Sequence, residues 1–336
     1  MLIRFIQFFL ILILSVHISK VSAHPFPVDT SYILRYEKIS LRQITSYQSL
    51  TMSFRSKSLG DKQLSFSPDQ KMSVGLGIAY EGYNLAGQIG ILNNISPADN
   101  LTRNIDLRAN LYSRPIGFDV YFIRYAGFTN DLSTSDVNAS NAKPNLKMTD
   151  LGINIFYVYS KKFSLKAAFN DTERQLKNAG SFLLLLSPGY TSIANPEKLF
   201  PDIYLPYFGQ NANLQKLRLF TLTLAPGYGF TLVHKKFYIT ANSYVGAGFQ
   251  YQECFYPTTK DYNMTNAFKI YLHWALGYNG DKYFAGLWFR DDAIFSNLED
   301  LTMIMNPWTL RFNIGVRLFP SKKINKIIEK YDKDRP

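Results

Sequence analysis

The 336-residue chain has one cysteine, four histidines and little charge, and past its first residues it has no long apolar run. The single thiol, Cys254, excludes an intramolecular disulfide framework. It also lies too far along the chain to be a lipid-modified N-terminal cysteine, so a buried, inert thiol is its expected role. Only 18% of residues are charged, against about 25% in an ordinary soluble domain. No segment after residue 18 approaches the roughly 20 apolar residues of a spanning helix, so a helical membrane protein is excluded. Phosphate loops are missing as well. Gly75, Gly77 and Gly82 fall inside a strand hairpin, where glycine marks close packing or a bend.

Despite the scarce charge, 46% of the chain is hydrophobic and 15% aromatic. Short strands resolve this tension by hiding apolar side chains at every second position. In Thr309-Leu-Arg-Phe-Asn-Ile-Gly-Val-Arg-Leu-Phe-Pro320, Phe312, Ile314, Val316 and Leu318 share one face, while Arg311, Asn313, Gly315 and Arg317 share the other. Met72, Val74, Leu76, Ile78 and Tyr80 alternate in the same way. Hairpins follow around Glu81-Gly82, around Ser113-Arg114-Pro115 (Asn104–Tyr112 with Gly117–Gly127) and around Lys161-Lys162 (Thr149–Tyr159 with Phe163–Asn170). Two more are centred on His234-Lys235-Lys236 and on Asn279-Gly280-Asp281, a strong tight-turn signal. Thr129–Met148 and Glu253–Thr265 read as longer polar loops.

The N-terminus reads as a cleaved secretory leader over residues 1–23, with Arg4, the apolar stretch Phe5 to Ile18 and Val21-Ser22-Ala23 before His24. An extension over 24–35, a barrel over 36–320 and a periplasmic tail over 321–336 complete the expected organisation. The expected fold is all-β, a transmembrane antiparallel up-and-down β-barrel of 12–14 strands in a bacterial outer membrane. Threading strands from both ends leaves a conflict of direction near Thr191–Gln215, which an ascending strand at Leu199–Phe208 would remove. With Ser49–Lys57 as the first strand, the count is then 14, or 12 without the ambiguous strands. Tyr80, Tyr83, Tyr112, Tyr121, Tyr157, Tyr159, Tyr278 and Tyr283 lie near strand ends, as interfacial aromatic girdles require.

The formal charge is +12, and +10 without Arg4 and Lys20. The basic residues are scattered and the leader exports the chain, so no nucleic acid partner is expected. The expected partners are outer-membrane lipids and lipopolysaccharide, the barrel-assembly machinery during insertion, and small solutes.

Tyr36-Glu-Lys-Ile-Ser-Leu-Arg42, Val74-Gly-Leu-Gly-Ile-Ala-Tyr-Glu-Gly82, Asp119-Val-Tyr-Phe-Ile-Arg-Tyr-Ala-Gly-Phe128, Lys162-Phe-Ser-Leu-Lys-Ala-Ala-Phe169, Thr172-Glu-Arg-Gln-Leu-Lys-Asn-Ala-Gly-Ser-Phe182 and Pro226-Gly-Tyr228 occur in an order that resembles the outer-membrane β-barrel family of Bacteroidota known as domain of unknown function 4421 (DUF4421). The resemblance implies an outer-membrane barrel and brings no catalytic residues with it.

Candidate chemistry is therefore read from the residues. No metal or other cofactor is expected, because His24, His234 and His273 have no partners at ligand spacing. Asp106, Arg108, Asp119, Lys269, His273, Arg290, Arg311 and Arg317 fall on the polar faces of strands, which makes them candidate lumen-lining residues. Charges there either bias a narrow solute channel or pair into a network that fills it. The alternative is a membrane-embedded hydrolase of lipase or protease type, using His273 or an acid pair Asp291-Asp292 near an outer rim.

Overall fold

Along Leu301–Leu318 the side chains alternate as the sequence dictates. Phe312, Ile314 and Leu318 are exposed, whereas Arg311, Asn313 and Arg317 are buried. The computed structural model describes residues 29–56, 63–68, 72–81, 83–90, 103–112, 114–132 and 142–320. The leader, the start of the extension and the tail 321–336 lie outside the described residues.

We number the strands β1 Ile33–Arg35, β2 Ile39–Ser56, β3 Gln63–Pro68, β4 Met72–Tyr80, β5 Tyr83–Gly90, β6 Arg103–Tyr112, β7 Ile116–Leu132, β8 Ala142–Val158, β9 Glu173–Gln175, β10 Ala179–Ala194, β11 Lys216–His234, β12 Phe237–Phe255, β13 Lys260–Asn279, β14 Tyr283–Leu298 and β15 Leu301–Leu318. Twelve of them form a closed antiparallel ring in which each pairs with the next, omitting β1, β3 and β9, and β15 pairs back onto β2. Closure leaves no open edge, the condition for a sheet to cross a bilayer. β3 stands apart from this ring. It pairs with the far ends of β2 and β7 and so bridges over the short strands β4, β5 and β6.

The outward face supplies the lipid contact. Tyr83, Tyr157, Phe182, Phe237 and Tyr283 are exposed near one end of the ring, and Tyr47, Phe220, Tyr251 and Tyr262 toward the other. Leucines and isoleucines fill the band between, among them Leu76, Leu224, Ile239 and Ile314. Aromatic girdles around an apolar band identify a membrane-spanning barrel of the outer-membrane type. The chain is accordingly an integral outer-membrane β-barrel protein. The short connections from β4 to β5, β6 to β7, β11 to β12 and β13 to β14 mark the periplasmic end, where β1 also lies. Of the expected girdle tyrosines, Tyr112 and Tyr121 instead point inward and are buried.

Three further expectations need correction. Phe163–Asn170 is no strand but contains the helix Leu165–Phe169, whose first turn is capped by Ser164 Oγ accepting from the Ala167 amide at 3.1 Å. A serine cap before two alanines favours helix over ladder. Leu199–Phe208 is also no strand. It holds a 3₁₀ turn at Asp202–Tyr204 and a helical turn at Leu205–Phe208, because Pro201 and Pro206 lack ladder donors. The two errors are linked: once the first false strand is removed, β10 ascends and no hidden strand is needed. Finally, the strands invade the expected long loops, with β7 running to Leu132, β8 starting at Ala142, β12 ending at Phe255 and β13 starting at Lys260. These polar strand ends project beyond the lipid, where alternation no longer needs apolar residues.

Both mouths of the barrel are filled from within. At the periplasmic end the segment between β8 and β10 folds inward as a plug. Phe163, Leu165, Ala168 and Phe169 pack beneath Tyr112, Phe156, Tyr238, Tyr271 and Trp288. β9 of this plug pairs with β1, which is the described part of the N-terminal extension. At the outer end Phe200, Tyr204 and Phe208 descend among Leu50, Met52, Phe54, Phe66, Phe128 and Met303. Phe54 meets Phe200 edge-on at 4.9 Å, and Phe200 meets Phe208 at 5.1 Å. Each such buried ring contributes about 1.5–3 kcal/mol of apolar transfer.

Two outcomes follow. Inward-facing Gly248 of β12 lets β11 approach so closely that a Cβ would press on the Leu222 carbonyl oxygen. Gly248→Val is therefore expected to lower the heat-modifiable, folded fraction on gels several-fold, whereas Ala241→Val on the outward face leaves it unchanged. The plug is tied at its rim to Asp281, which accepts from Lys236 Nζ at 2.7 Å and from Arg174 Nη1 at 2.9 Å. The Lys236 hydrogen bond above all holds the Asp281 carboxyl below its ordinary 3.8. A depressed folded value means this tie is present above the ordinary value and lost as pH falls through the depressed one. Amide exchange in β9 should accelerate only below about pH 4, and Asp281→Asn should raise it at neutral pH and abolish the acid step.

Candidate functional site

Between the plug and the outer aromatic cluster lies a belt of paired charges. Alternation turns Arg42, Ser46 and Gln48 of β2 inward, together with Asn84 and Gln88 of β5, Asp106, Arg108 and Asn110 of β6, and Asp119 of β7. From the strands on the other side of β2 come Lys269 of β13, Arg290 and Asp292 of β14, and Arg311 of β15. The intervening β4 presents only Ser73, Gly75, Gly77 and Ala79 to the lumen. Side chains of β2 and β5 therefore reach across it: Ser46 Oγ donates to Gln88 Oε1, and Arg42 Nη2 donates to Asn84 Oδ1. A Cβ at Gly77 would stand 2.7 Å from Arg42 Nε, which is why glycine is required there.

The acids are shared. Asp106 pairs with Arg108 at 2.9 Å, accepts from Gln48 Nε2 at 3.2 Å and faces Arg311 at 3.9 Å. Asp119 accepts from Asn110 Nδ2 at 2.7 Å and lies 3.6 Å from Arg290. β7 and β14 stand opposite one another in the ring, so the Asp119–Arg290 pair spans the full width of the lumen. Lys269, only 1% exposed, is bound by Asp292 of the neighbouring strand. Removing one partner of such a buried pair leaves an uncompensated charge, at a cost of about 3–5 kcal/mol. The space left beside Arg290 and Arg311, walled by His273, Trp288 and Thr309, is about 30 Å³. That is room for one or two waters rather than for a solute.

A second clamp holds the plug. Arg42 Nη1 donates to Asp171 Oδ2 at 3.0 Å, and Arg317 Nε donates to the Asp171 carbonyl at 2.9 Å. Asn279 Nδ2 donates to the carbonyls of Ala167 and Glu173 at 3.1 and 3.0 Å. Glu173, itself 2% exposed, gathers Arg114 at 3.0 Å, Arg35 at 3.5 Å and Lys166 at 3.8 Å. Burial pushes the Asp171 carboxyl above its ordinary value, with Arg42 and Arg317 opposing.

The eight candidate lumen residues thus divide. Asp106, Arg108, Asp119, Lys269, Arg290 and Arg311 belong to the central belt, and Arg317 belongs to the plug clamp. His273 is stacked on Phe169 of the plug at 3.6 Å between ring centroids. Among the described residues it makes no side-chain hydrogen bond to a serine or carboxylate, so a nucleophile–base pair is not assembled. The acid pair is not assembled either. Asp292 points inward to Lys269, whereas Asp291 lies between Leu272 and Trp308 on the outward face. Both sit midway along β14, which continues to Leu298, and not at an outer rim. Nothing in the structure explains an outward carboxylate at Asp291. No group of His, Cys, Asp and Glu suited to a metal occurs among the described residues.

Arg42, Asp171, Glu173 and Asn279 escaped sequence reasoning. The expected first strand, Ser49–Lys57, begins too late, because Ser40, Arg42, Ile44 and Ser46 already alternate with Leu41, Gln43, Thr45 and Tyr47. The acids of the plug lie in a segment with no periodicity of its own to signal burial.

Among curated proteins none matches the sequence. Among solved structures the chain is similar to the outer membrane protease OmpT from Escherichia coli, with 7% identity, 84% of this chain and 97% of that one covered, and a TM-score of 0.40. It is also similar to the translocator domain of the autotransporter NalP from Neisseria meningitidis (12% identity, 85% and 90% covered, TM-score 0.37) and to the toluene transporter TodX from P. putida (8%, 85% and 91%, 0.32). A family match runs through residues 27–318, which takes in the ring, its plug and the charged belt: the chain belongs to the family described as Domain of unknown function (DUF4421).

Proposed function

We propose that this protein is a non-enzymatic structural barrel of the outer membrane whose lumen is held shut by its own side chains. The reading is carried by the Asp119–Arg290 pair, which joins opposite walls and so crosses the path an open channel would take. The periplasmic plug below and the aromatic cluster above block the path on either side of it. Fixed in this way, the barrel works as a rigid anchor for its outer face and not as a sieve.

A narrow solute passage is the second reading, and the chemistry of the plug favours it over hydrolysis. Besides its apolar packing, the plug is tied by hydrogen bonds and ion pairs to Arg42, Asn279, Arg317 and Arg114, which can exchange for water if the segment withdraws. Small charged solutes would then meet Arg290, Arg311, Asp106 and Asp119. Delivery by barrel-assembly machinery fits the last strand, which ends in the outward Leu318 and the exposed Phe319.

Planar-bilayer recording separates these readings. Purified wild-type protein should give no conductance steps in high salt, whereas replacement of residues 163–175 and of residues 199–208 by glycine–serine linkers together with Arg290→Ala should give discrete steps. Steady steps from the wild type would sink the closed-barrel reading.

A further inference from the structure

The outward faces of β11, β12 and β13 carry a graded surface at their outer ends. Strand pairing sets Lys216, Phe255 and Lys260 in one row and Arg218, Glu253 and Tyr262 in the next. Below them lie Phe220, Tyr251 and Met264, then Leu222, Phe249 and Asn266, then Leu224, Ala247 and Phe268. The surface therefore runs from basic and aromatic at the rim to wholly apolar within the membrane band.

The rim cations converge. Lys216 Nζ lies 5.3 Å, Arg218 Cζ 4.9 Å and Lys260 Nζ 4.8 Å from the centre of the Phe255 ring. Three like charges around one ring repel one another, and only one carboxylate accompanies them. That carboxylate, Glu253, is engaged by Arg218 at 3.1 Å. Among the described residues no carboxylate comes within ion-pair distance of Lys216 or Lys260. The ring–cation contacts hold the array together without neutralising it, so the excess positive charge is left facing outward.

Three rows further down, about 20 Å along the strands, an open groove of about 580 Å³ runs over β12 to β15, with walls that include Ala247, Phe249, Phe268 and Phe295 and with Asn297 and Thr302 toward its outer edge. Its floor is apolar, with the Phe268 and Phe295 rings in contact at 6.0 Å between centroids, which suits an acyl chain.

We propose that this face is a binding site for one phosphorylated glycolipid of the outer leaflet, its phosphates on Lys216, Arg218 and Lys260 and an acyl chain in the groove by Ala247 and Phe268. The spacing selects the occupant. Lys216 and Lys260 sit on strands two apart, so their backbones stand about 10 Å from each other, and their ammoniums, 5.3 and 4.8 Å from the same ring centre, are no farther apart than that. That distance suits two phosphates on a disaccharide headgroup better than the single phosphodiester of a glycerophospholipid. Arginine between them offers the fork that recognises phosphate oxygens. The site makes no use of the lumen, and it stands or falls independently of whether the barrel conducts.

Native mass spectrometry of the full-length protein in detergent tests it, with four probes: bis-phosphorylated lipid A, its dephosphorylated form, phosphatidylglycerol and inorganic phosphate. Bis-phosphorylated lipid A should be retained at concentrations at least about tenfold below those needed for the other two lipids. The variant K216Q/R218Q/K260Q, checked for folding by heat-modifiable mobility, should lose that preference, and Phe268→Ala should weaken both lipid A forms alike. Equal retention of the two lipid A forms by the wild type, a comparison needing no variant, overturns the proposal. So does equal retention of phosphatidylglycerol, or displacement of lipid A by inorganic phosphate at matched concentration.

Discussion

A charge that strand alternation turns into a narrow barrel has to find its counter-charge among the other inward-facing side chains. The lumen offers little water, and the lipid outside offers none of the compensation an exposed residue would receive. The remaining features of the interior follow from that constraint. Asp106 and Asp119 are held by arginines and amides from β2, β6, β14 and β15, and Lys269 is held by Asp292. The glycines of β4 let long side chains from β2 and β5 meet above them, so the sequence of one strand serves the pairing of two others.

The same constraint divides the lumen into layers. Where the chain supplies paired charges, the interior is polar and rigid. Toward the outside it supplies Leu50, Met52, Phe54 and Met303 at inward positions, and the barrel there is packed like a soluble core with Phe200 and Phe208 as its filling. Toward the periplasm, residues that no strand could use form a plug whose helix buries Phe169 against His273. A histidine that would otherwise invite a catalytic reading is thereby a packing surface for the plug.

The sequence made the ring legible because its signal is periodic and local. Phe312, Ile314 and Leu318 against Arg311, Asn313 and Arg317 define inside and outside with no other information, and Asn279-Gly280-Asp281 marks a turn unaided. Illegible were the parts whose structure is set by the lumen they enter. Phe163–Asn170 has enough apolar residues for a strand, and only the barrel mouth makes a capped helix the better burial. The direction conflict near Thr191–Gln215 was a real signal placed on the wrong segment, since the false strand lay earlier in the chain. Which inward charges pair with which partners depends on strand register around the whole ring, and a single sequence does not disclose it. The rim array around Phe255 was invisible for the same reason, because Lys216 and Lys260 become neighbours only through two successive ladders.

The account turns on whether opposite walls are joined through the lumen. A double-mutant cycle on Asp119 and Arg290, read as the midpoint of the heat-modifiable transition for the Asp119→Asn, Arg290→Gln and combined variants, addresses this directly. If the pair spans the lumen, the combined variant should be less destabilised than the sum of the two single variants, with a coupling of about 1 kcal/mol or more. Strict additivity would mean that the two side chains do not interact across the barrel, and would contradict the closed lumen proposed for this protein.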